Sequence, residues 1–458
     1  MNKNNIIGFA LIAAVLIGFG IWNQPSDEQI AAQKHQDSIE NVARQNAENA
    51  AKLAAQQKIA QAKAAAEADT TALFHAALKG NATNVVLKNK DLELTINSKG
   101  GVVSKAVIKN FEDRNGNKDV TLFDSSTQSL NFALAAKNVN INTADLYFTP
   151  SNQTDSTVTM TAEAGKGKAL VINYVLGKDY MLHTQMQAVG MANDFAPSTS
   201  QMDVQWKDLV RQQERGFTFE NRYASLTYHK TDGGTDYLSE AKNLKDETIE
   251  DKIDWVAFKN QFFSAVMIAK NDFAENSQMT SIPQEKGSGY LKQYEAKMKT
   301  SFDPSGKTPS EFDFYFGPND FRLLNRVEKE CQFNKDLEMQ RLVYLGWPLF
   351  RIINRWFTIY VFDFLTGLNI NMGIVLILIT LLLKLITYPM VKKSYMSSAK
   401  MRVLKPKLEE ATKHLNKPED QMQKQQAMMA EYSKYGVSPL SGCLPMLIQM
   451  PIWIAMFN

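Results

Sequence analysis

The feature that most constrains this chain is an apolar stretch from Gly373 to Val391, which carries one charge, Lys384. As a helix, its 19 residues rise about 28 Å, close to the thickness of a bilayer's hydrocarbon core. Thr380, Lys384 and Thr387 are spaced i, i+4 and i+7, so in a helix they lie within an arc of roughly 60°. The other faces are mostly Ile, Val and Leu. The stretch therefore predicts a spanning helix with one polar stripe, which faces a cavity, a groove or a partner.

Lys384 has two interpretations at this stage. It precedes Val391 by seven residues, or about 10 Å along a helix, so its stem could carry the amine towards the membrane surface. Alternatively, Lys384 and the two threonines line a functional groove. The threonines on the same face favour the groove.

The composition of the chain is divided rather than uniform. Hydrophobic residues make up 44% and charged residues 22% of the 458 residues, which is ordinary for a soluble protein. The first 22 residues and those after about Leu342 are nevertheless membrane-like, and the middle is polar. The net charge of +3 is too small to indicate a nucleic-acid partner.

Sequence motifs for catalysis and metal binding are missing. Cys331 and Cys443 form no CxxC pair, and the sequence contains no P-loop, nucleophile elbow or HExxH. We therefore expect neither an enzyme nor a cofactor or metal site.

The amino-terminal region predicts an anchor followed by a tether. Ile6 to Trp22 is apolar, follows Lys3 and lacks a small-x-small cleavage site. A cleaved signal peptide and a retained anchor compete here, and we favour a signal-anchor helix over 1–24 with a cytoplasmic amino terminus. Residues 25–83 are rich in Ala, Gln and Lys, which predicts a helix-prone tether rather than a core.

Residues 84–336 change to a β pattern. Short alternating runs such as Leu92 to Ile96 are separated by Gly, Asn and Asp turns, which predicts a large antiparallel sandwich outside the cytoplasm. The run GPND at 317–320 begins a terminal helix. Four aromatic residues are interpreted as core, with a sugar- or lipid-binding surface as the alternative: Trp255, Phe258, Phe262 and Phe263.

Residues 337–366 are amphipathic, with apolar side chains such as Leu349 and Trp356 opposite a face that holds Arg351, Asn354 and Arg355. This pattern predicts a helix in the membrane interface before the span at 370–391. The alternative is a helix that packs on the sandwich.

Residues 392–436 contain ten Lys/Arg and five Asp/Glu, a positive excess that marks the cytoplasmic side of a membrane. The pattern predicts a helical hairpin that turns near Pro418. Basic and methionine side chains of the hairpin are the candidate contacts, since methionine adapts to varied partners. These candidates are Lys400, Arg402, Lys405, Lys407, Met428 and Met429. The alternative is a solvated hairpin that only connects two spans. Residues 438–458 then begin a further span, and we interpret the chain as truncated there.

Several runs carry a family resemblance. They are Tyr388-Pro389, the run SSAKMRVLKPK at 397–407 and, above all, the run GVSPLSGCLPMLIQMP at 436–451. These runs resemble the YidC/Oxa/Alb family of membrane protein insertases. FGPND at 316–320 and WVA at 255–257 look like the exported domain of its bacterial members.

The resemblance implies a multi-domain membrane protein with an α-helical transmembrane core and an all-β, supersandwich-like periplasmic domain. It implies an inner-membrane, multi-pass insertase and chaperone that acts alone or with the Sec translocon, and three further spans after Asn458. The implied partners are nascent membrane proteins, Sec translocon components, inner membrane lipids and, as an additional candidate, the ribosome.

The resemblance also assigns a site. Lys384 matches the positive residue of a hydrophilic groove, with Thr380 and Thr387 beside it. Better-known bacterial members have arginine there, and lysine keeps the charge but loses the planar fork. Two other functions stay open, namely a transporter or channel subunit that uses Lys384 and a membrane-tethered periplasmic glycan-binding protein.

Overall fold

The computed structural model describes residues 72–137, 139–238, 244–331, 333, 335–346, 348–413, 421–436 and 444–457. They form two compact units, one that ends at Tyr344 and one that begins at Leu345. The predicted anchor at 1–24 and most of the tether lie outside the described residues.

The first unit is built from two antiparallel sheets. A four-stranded sheet has the order β1-β2-β3-β4, and the larger sheet follows the path β6-β5-β11-β18-β16-β19-β10-β9-β8-β7, with β12 to β15 and β17 attached beside it. The strands are β1 (Asn84–Lys88), β2 (Leu92–Asn97), β3 (Val102–Ile108), β4 (Val120–Phe123), β5 (Gln128–Ala135), β6 (Asn140–Asn142), β7 (Thr149–Ser151), β8 (Thr157–Gly165), β9 (Lys168–Leu176), β10 (Met181–Val189), β11 (Gln201–Arg211), β12 (Ser225–Lys230), β13 (Thr235–Tyr237), β14 (Lys245–Ile249), β15 (Ile253–Lys259), β16 (Phe263–Phe273), β17 (Ser277–Pro283), β18 (Tyr290–Ser301) and β19 (Ser310–Pro318). The predicted all-β domain is confirmed.

Alternating side chains explain why these segments form strands. In β11, Met202, Val204 and Trp206 are buried and the residues between them are exposed, the period-two pattern of a sheet with one wet face. β15 is buried along its whole length, because both of its faces are covered. One hydrophobic cluster joins the two sheets, and in it Trp206 stacks on Phe258 with ring centroids 4.0 Å apart.

The interpretation of four aromatic residues as core is right for three of them. Trp255, Phe258 and Phe263 are buried, but Phe262 is 46% exposed. Phe262 lies in the turn between β15 and β16, where the Asn260 Oδ1 accepts hydrogen bonds from the backbone N–H groups of Phe262 and Phe263. Strand alternation does not continue through a turn, so the spacing in the sequence could not show which way Phe262 points.

Among its described residues this unit has two α-helices, α1 (Phe217–Tyr223) and α2 (Phe321–Glu330). Asp320 caps α2, since its carboxylate accepts a hydrogen bond from the Leu323 N–H at 2.7 Å. Leu324 and Val327 bury the inner face of α2 against the sheets.

After α2, residues 335–344 return along β15 as a strap. The Lys335 ammonium lies 2.9 Å from Asp254 and also pairs with Asp272. Trp255 Nε1 donates to the Leu337 carbonyl at 2.7 Å, and Lys259 Nζ donates to the Leu342 carbonyl at 3.1 Å. The strap therefore follows β15 from Asp254 to Lys259, so that the chain leaves the domain at the end of that strand.

The second unit is helical. Its helices are α3 (Pro348–Ile353), α4 (Ile359–Thr366), α5 (Met372–Thr412), α6 (Gln421–Lys434) and α7 (Leu444–Phe457), with a π-helical turn, Asn354–Thr358, between α3 and α4. Asn354, expected on the polar face, is buried and donates to the Leu345 carbonyl at 3.3 Å. Apolar side chains spaced three or four residues apart remain exposed, namely Leu349, Ile352, Trp356, Tyr360 and Phe364. An interfacial location of this segment stays a prediction.

We predict that Glu328→Ala destabilises the first unit. The Glu328 carboxylate accepts hydrogen bonds from three backbone N–H groups of the strap, at 2.8 Å from Leu337, 3.1 Å from Glu338 and 3.2 Å from Met339. Leaving partly buried donors unpaired costs about 2 kcal/mol of unfolding free energy. Urea unfolding of the full chain in detergent, followed by tryptophan fluorescence, measures the loss. Lys329→Ala, on an exposed position of the same helix, should change the unfolding free energy by less than about 0.5 kcal/mol. Equal losses in the two variants would contradict the role of Glu328.

A second prediction concerns pH. His183 Nδ1 lies 2.6 Å from Asp313 Oδ1, and this hydrogen bond raises the pKa of His183 above its usual value. Because the folded pKa exceeds the unfolded one, the contribution to stability is complete below about pH 6.5 and is lost as the pH rises through the folded pKa. The urea midpoint should fall over that range, and His183→Asn should lack this fall. An unchanged pH dependence in the variant would assign the effect to another group.

Candidate functional site: an apolar helix and a basic hairpin

The helix that carries Lys384 is longer than the sequence predicted. α5 runs for 41 residues, from Met372 to Thr412, through Pro389 and Pro406. Its length of about 62 Å is twice the bilayer's hydrocarbon core, so its second half must lie outside the hydrocarbon if the first half spans it. We expected the span to end at Val391. The residues after Val391 include the strong helix formers Lys, Met, Ala and Leu, which favour continuation of the helix despite the two prolines that oppose it.

One face of α5 packs against its neighbours. Val375, Ile379 and Leu383 are buried at a spacing of four residues. The side chains that cover them come from the π-helical turn, α4, the loop before α5, and α7: Phe357, Val361, Phe362, Leu365, Ile370, Ile452 and Met456. In the described part of the chain, α5 is the one helix long and apolar enough to cross a membrane.

The predicted polar stripe lies beside this packed face. Thr387 is buried, one turn beyond Leu383, whereas Thr380 and Lys384 are exposed. Thr380 Oγ1 donates to the Leu376 carbonyl at 2.8 Å, and Thr387 Oγ1 donates to the Leu383 carbonyl at 2.9 Å. Both hydroxyl hydrogens are thus used within the helix. Of the three predicted side chains, Lys384 is the one whose donor hydrogens have no partner among the described residues.

The surroundings of Lys384 on α5 are apolar. Leu381, Leu385 and Ile386 are exposed beside it, and no Asp or Glu occurs between Met372 and Lys393. Lys384 follows Met372 by 12 residues, or about 18 Å along the helix. A lysine at the centre of a spanning helix costs about 2.5–3.5 kcal/mol on insertion scales, so a polar environment or partner must compensate for it.

The second half of α5 and α6 form the predicted helical hairpin. Leu404 and Leu408 are buried between the two helices, where Met401, Met428 and Tyr432 pack against them. At the open end of the hairpin, Lys407 Nζ lies 3.0 Å from the Tyr435 hydroxyl and 4.9 Å from the centre of its ring. The turn around Pro418 lies outside the described residues.

The candidate contacts of the hairpin separate into two groups. Lys400, Arg402 and Lys405 are exposed, and so is Met429. Met428 is half-buried inside the hairpin, and Lys407 is held by Tyr435. Two further apolar side chains of the same hairpin are exposed and were not predicted as contacts, although a heptad count could have shown them to face outward. These are Tyr395 and Val403.

Comparison with known proteins decides the family. A model of the YidC periplasmic domain matches residues 84–360, and a model of the 60Kd inner membrane protein matches residues 364–458. A Membrane protein insertase YidC of Phocaeicola vulgatus is 48% identical over 465 residues, which cover 100% of this chain and 73% of that protein. The chain belongs to the YidC family of membrane protein insertases.

Other YidC proteins give the same result. One of Bacteroides fragilis is 45% identical over 459 residues, covering 100% of this chain and 73% of that protein. The crystal structure of YidC from Thermotoga maritima aligns with a TM-score of 0.29 and 11% identity, over 74% of this chain and 78% of that chain. The sequence relatives, rather than this structural alignment, establish membership. The predicted inner-membrane location agrees with the two family descriptions.

YidC insertases are not enzymes. The β domain nevertheless contains a group that resembles a catalytic triad, formed by His183, Asp313 and Cys331. Asp313 lies between the other two, since it pairs with His183 and accepts a hydrogen bond from the Cys331 thiol at 3.1 Å. Burial and the neighbouring carboxylate raise the pKa of this thiol, which opposes formation of a nucleophilic thiolate. Among the described residues, no group of three His, Cys, Asp or Glu side chains could hold a metal ion.

An open groove of about 800 Å³ lies on the β domain, lined by β5, β11, β18 and the turn that contains Asn276. Its lining is mostly polar, and none of these residues is aromatic. Carbohydrate sites commonly present aromatic faces for the ring to stack on, so the groove does not favour the glycan-binding alternative.

We predict that Leu408→Ala opens the hairpin. Leu408 is 7% exposed, and truncating a buried leucine costs about 2–5 kcal/mol. Amide hydrogen exchange of the full chain in detergent should become faster in α6 and in α5 after residue 400. Val403→Ala removes a side chain that is 76% exposed and should leave exchange unchanged. Unchanged exchange in Leu408→Ala would show that the hairpin does not depend on this contact.

Proposed function

We propose that this chain inserts hydrophobic segments of nascent proteins into the inner membrane, with Lys384 as the charged position that a polar part of the substrate reaches. The observation that carries the proposal is an exposed, intrahelically unpaired lysine amid the apolar surface of α5. The insertase activity is inferred from membership of the YidC family, and Lys384 is chosen for its position on α5.

The hairpin is the first contact in this proposal. Its exposed Lys400, Arg402 and Lys405 alternate with the exposed apolar side chains of Val403 and Met396 on one long helix. Such a surface suits a segment that is apolar but still flanked by polar residues. Methionine side chains adapt to different apolar sequences, which an insertase with varied substrates needs.

Lys384 acts at the second stage. In a medium of low dielectric constant, a cation attracts an acidic or strongly polar segment far more than it does in water. A polar tail held near Lys384 has a shorter apolar distance left to cross, and the apolar part of the substrate moves sideways into lipid. Thr380 is exposed beside it and offers acceptor lone pairs, since its hydrogen is used within the helix, whereas Thr387 is buried.

The proposal includes a topology and partners. A cytoplasmic amino terminus, a periplasmic β domain and a cytoplasmic hairpin follow from the positive excess of residues 392–436. The insertase works alone or beside the Sec translocon, and the basic hairpin is where a translating ribosome would approach. Snorkelling of Lys384 is the competing interpretation, and the following experiment separates the two.

We predict that insertion depends on the charge at position 384. Lys384→Arg should insert a small single-span substrate with an acidic tail normally. Lys384→Ala should slow insertion by about tenfold, the lower end of electrostatic effects on encounter rates, and Lys384→Glu should slow it further. The assay follows protease protection of the substrate in proteoliposomes.

Two controls sharpen this test. Lys392→Ala removes a charge at the end of the apolar stretch and should have little effect. A substrate whose tail carries Asn and Gln instead of Asp and Glu should respond less to Lys384→Ala. Normal insertion by Lys384→Glu would overturn the proposal, and ion flux without substrate insertion would favour a channel instead.

A further inference from the structure

The β domain has one end where its chain leaves towards the second unit. We call it the exit end and define it by four segments: the β15–β16 turn at 260–263, the loop at 109–119, the segment 212–223 that includes α1, and Leu342 to Tyr344. Lys259, at the end of β15, pairs with Ser225, which directly follows α1 and Ala224. Lys259 Nζ also binds the Leu342 carbonyl at 3.1 Å. These contacts bring the turn, α1 and the departing chain together.

The loop at 109–119 belongs to the same end. The ring of Phe111 lies 5.4 Å from that of Phe263, edge to face. Arg215 Nε donates to the Arg114 carbonyl at 3.4 Å, and Arg114 donates to the Gln212 side chain at 2.9 Å. The four segments therefore form one continuous surface, although they are far apart in sequence.

Exposed phenylalanines concentrate on this surface. In the described part of the β domain, the phenylalanines with exposed side chains are Phe111 at 37%, Phe219 at 48% and Phe262 at 46%. All three belong to the exit end, and each comes from a different segment. Phe219 extends an aromatic series with ring centroids 5.3 Å from Tyr223, which lies 5.9 Å from Tyr344.

The exit end does not carry an excess of one charge that would attract a partner. Arg114 and Arg215 are accompanied by Glu112, Asp113 and Glu214, so the exit end carries a mixed set of charges. A partner would therefore be held by aromatic side chains with little help from charge. Exposed phenylalanines surrounded by polar residues suit a membrane interface, where Phe side chains bury at the boundary of headgroups and acyl chains.

The chain itself limits how far the exit end can be from the membrane. Tyr344 is separated from Pro348 by three residues, which span at most about 14 Å between the two Cα atoms. Pro348 begins the segment whose exposed Trp356 and Tyr360 suit a membrane interface. An aromatic surface at this end therefore has lipid within reach.

We infer that the exit end docks on the lipid headgroup region of the membrane in which the chain is embedded, through Phe111, Phe219 and Phe262. This contact fixes the orientation of the β domain at the bilayer surface. It goes beyond the proposed function and requires only that the chain is embedded in a bilayer, so the insertion reaction plays no part in its test.

The test places an environment-sensitive fluorophore, nitrobenzoxadiazole, at single positions of the full chain in proteoliposomes. Cys331→Ser and Cys443→Ala provide the background, because serine keeps a donor for Asp313. Phe262→Cys and Phe219→Cys place the label at the exit end. Val189→Cys is the matched control, since Val189 is 43% exposed and lies far along β10 from the exit end. The end of β19 reaches the exit end, because Pro318 pairs with Phe263. Met181 of β10 pairs with Tyr315 of β19, and Val189 is eight residues, or about 27 Å, further along β10 than Met181.

Lipids that carry a shallow nitroxide quencher report the contact. We expect about threefold stronger quenching and a blue-shifted emission at positions 262 and 219 relative to 189, because interfacial Phe side chains bury at the boundary of headgroups and acyl chains. Quenching should persist in 0.5 M salt (about a 4 Å screening length). Adding Phe219→Ser to the Phe262→Cys protein should weaken it.

Other outcomes overturn the inference. Equal quenching at the three positions would show that the exit end does not contact lipid. Quenching that disappears when the protein is diluted in lipid would show that the contact with lipid requires a second copy of the chain, which the inference excludes. Quenching lost in high salt would assign the contact to charge. Each result is independent of whether Lys384 variants insert substrate.

Discussion

The hydrocarbon core of a bilayer offers no hydrogen-bond partners, and this constraint governs the helical unit. In a helix the backbone N–H and C=O groups bond to one another, and in α5 two polar side chains also bond to the helix backbone. Thr380 and Thr387 return their hydroxyl hydrogens to carbonyls of the preceding turn. Lys384 differs, because its ammonium carries a full charge and three donor hydrogens and makes no hydrogen bond within α5. Lys384, the one cation of the apolar stretch, is thus the polar side chain that the helix itself does not hydrogen-bond, which supports it as the functional residue.

The same constraint separates the two halves of α5. About 62 Å of helix cannot lie within about 30 Å of hydrocarbon. Beyond Val391 the helix becomes basic, and it obtains its stability from Leu404 and Leu408 packed against α6. One continuous helix therefore combines a spanning part, stabilised by α4 and α7, with a water-exposed part stabilised by α6. Membership of the YidC family gives both parts a common purpose in handling membrane proteins.

The β domain depends on a different kind of interaction. Its sheets are held by a shared apolar core, and its connection to the second unit is held by polar contacts. Trp255, Lys259 and Glu328 bind the strap, and Lys335 within the strap pairs with Asp254 and Asp272. These contacts fix the point at which the chain departs. They also bring Tyr344 to the surface that carries the exposed phenylalanines.

The sequence by itself determined the apolar span, the basic hairpin, the all-β domain and the capped helix after Pro318. Each of these follows from local periodicity, charge or capping, which depend on residues that are close together in the sequence. Only the tertiary structure decided that Phe262 is exposed while Phe263 is buried, that Met428 faces inward while Met429 does not, and which side of α5 is packed. Those outcomes depend on contacts between segments far apart in the chain. Hydrophobicity shows only that a side chain can be buried, because the side chains that cover it come from segments that the tertiary structure brings together.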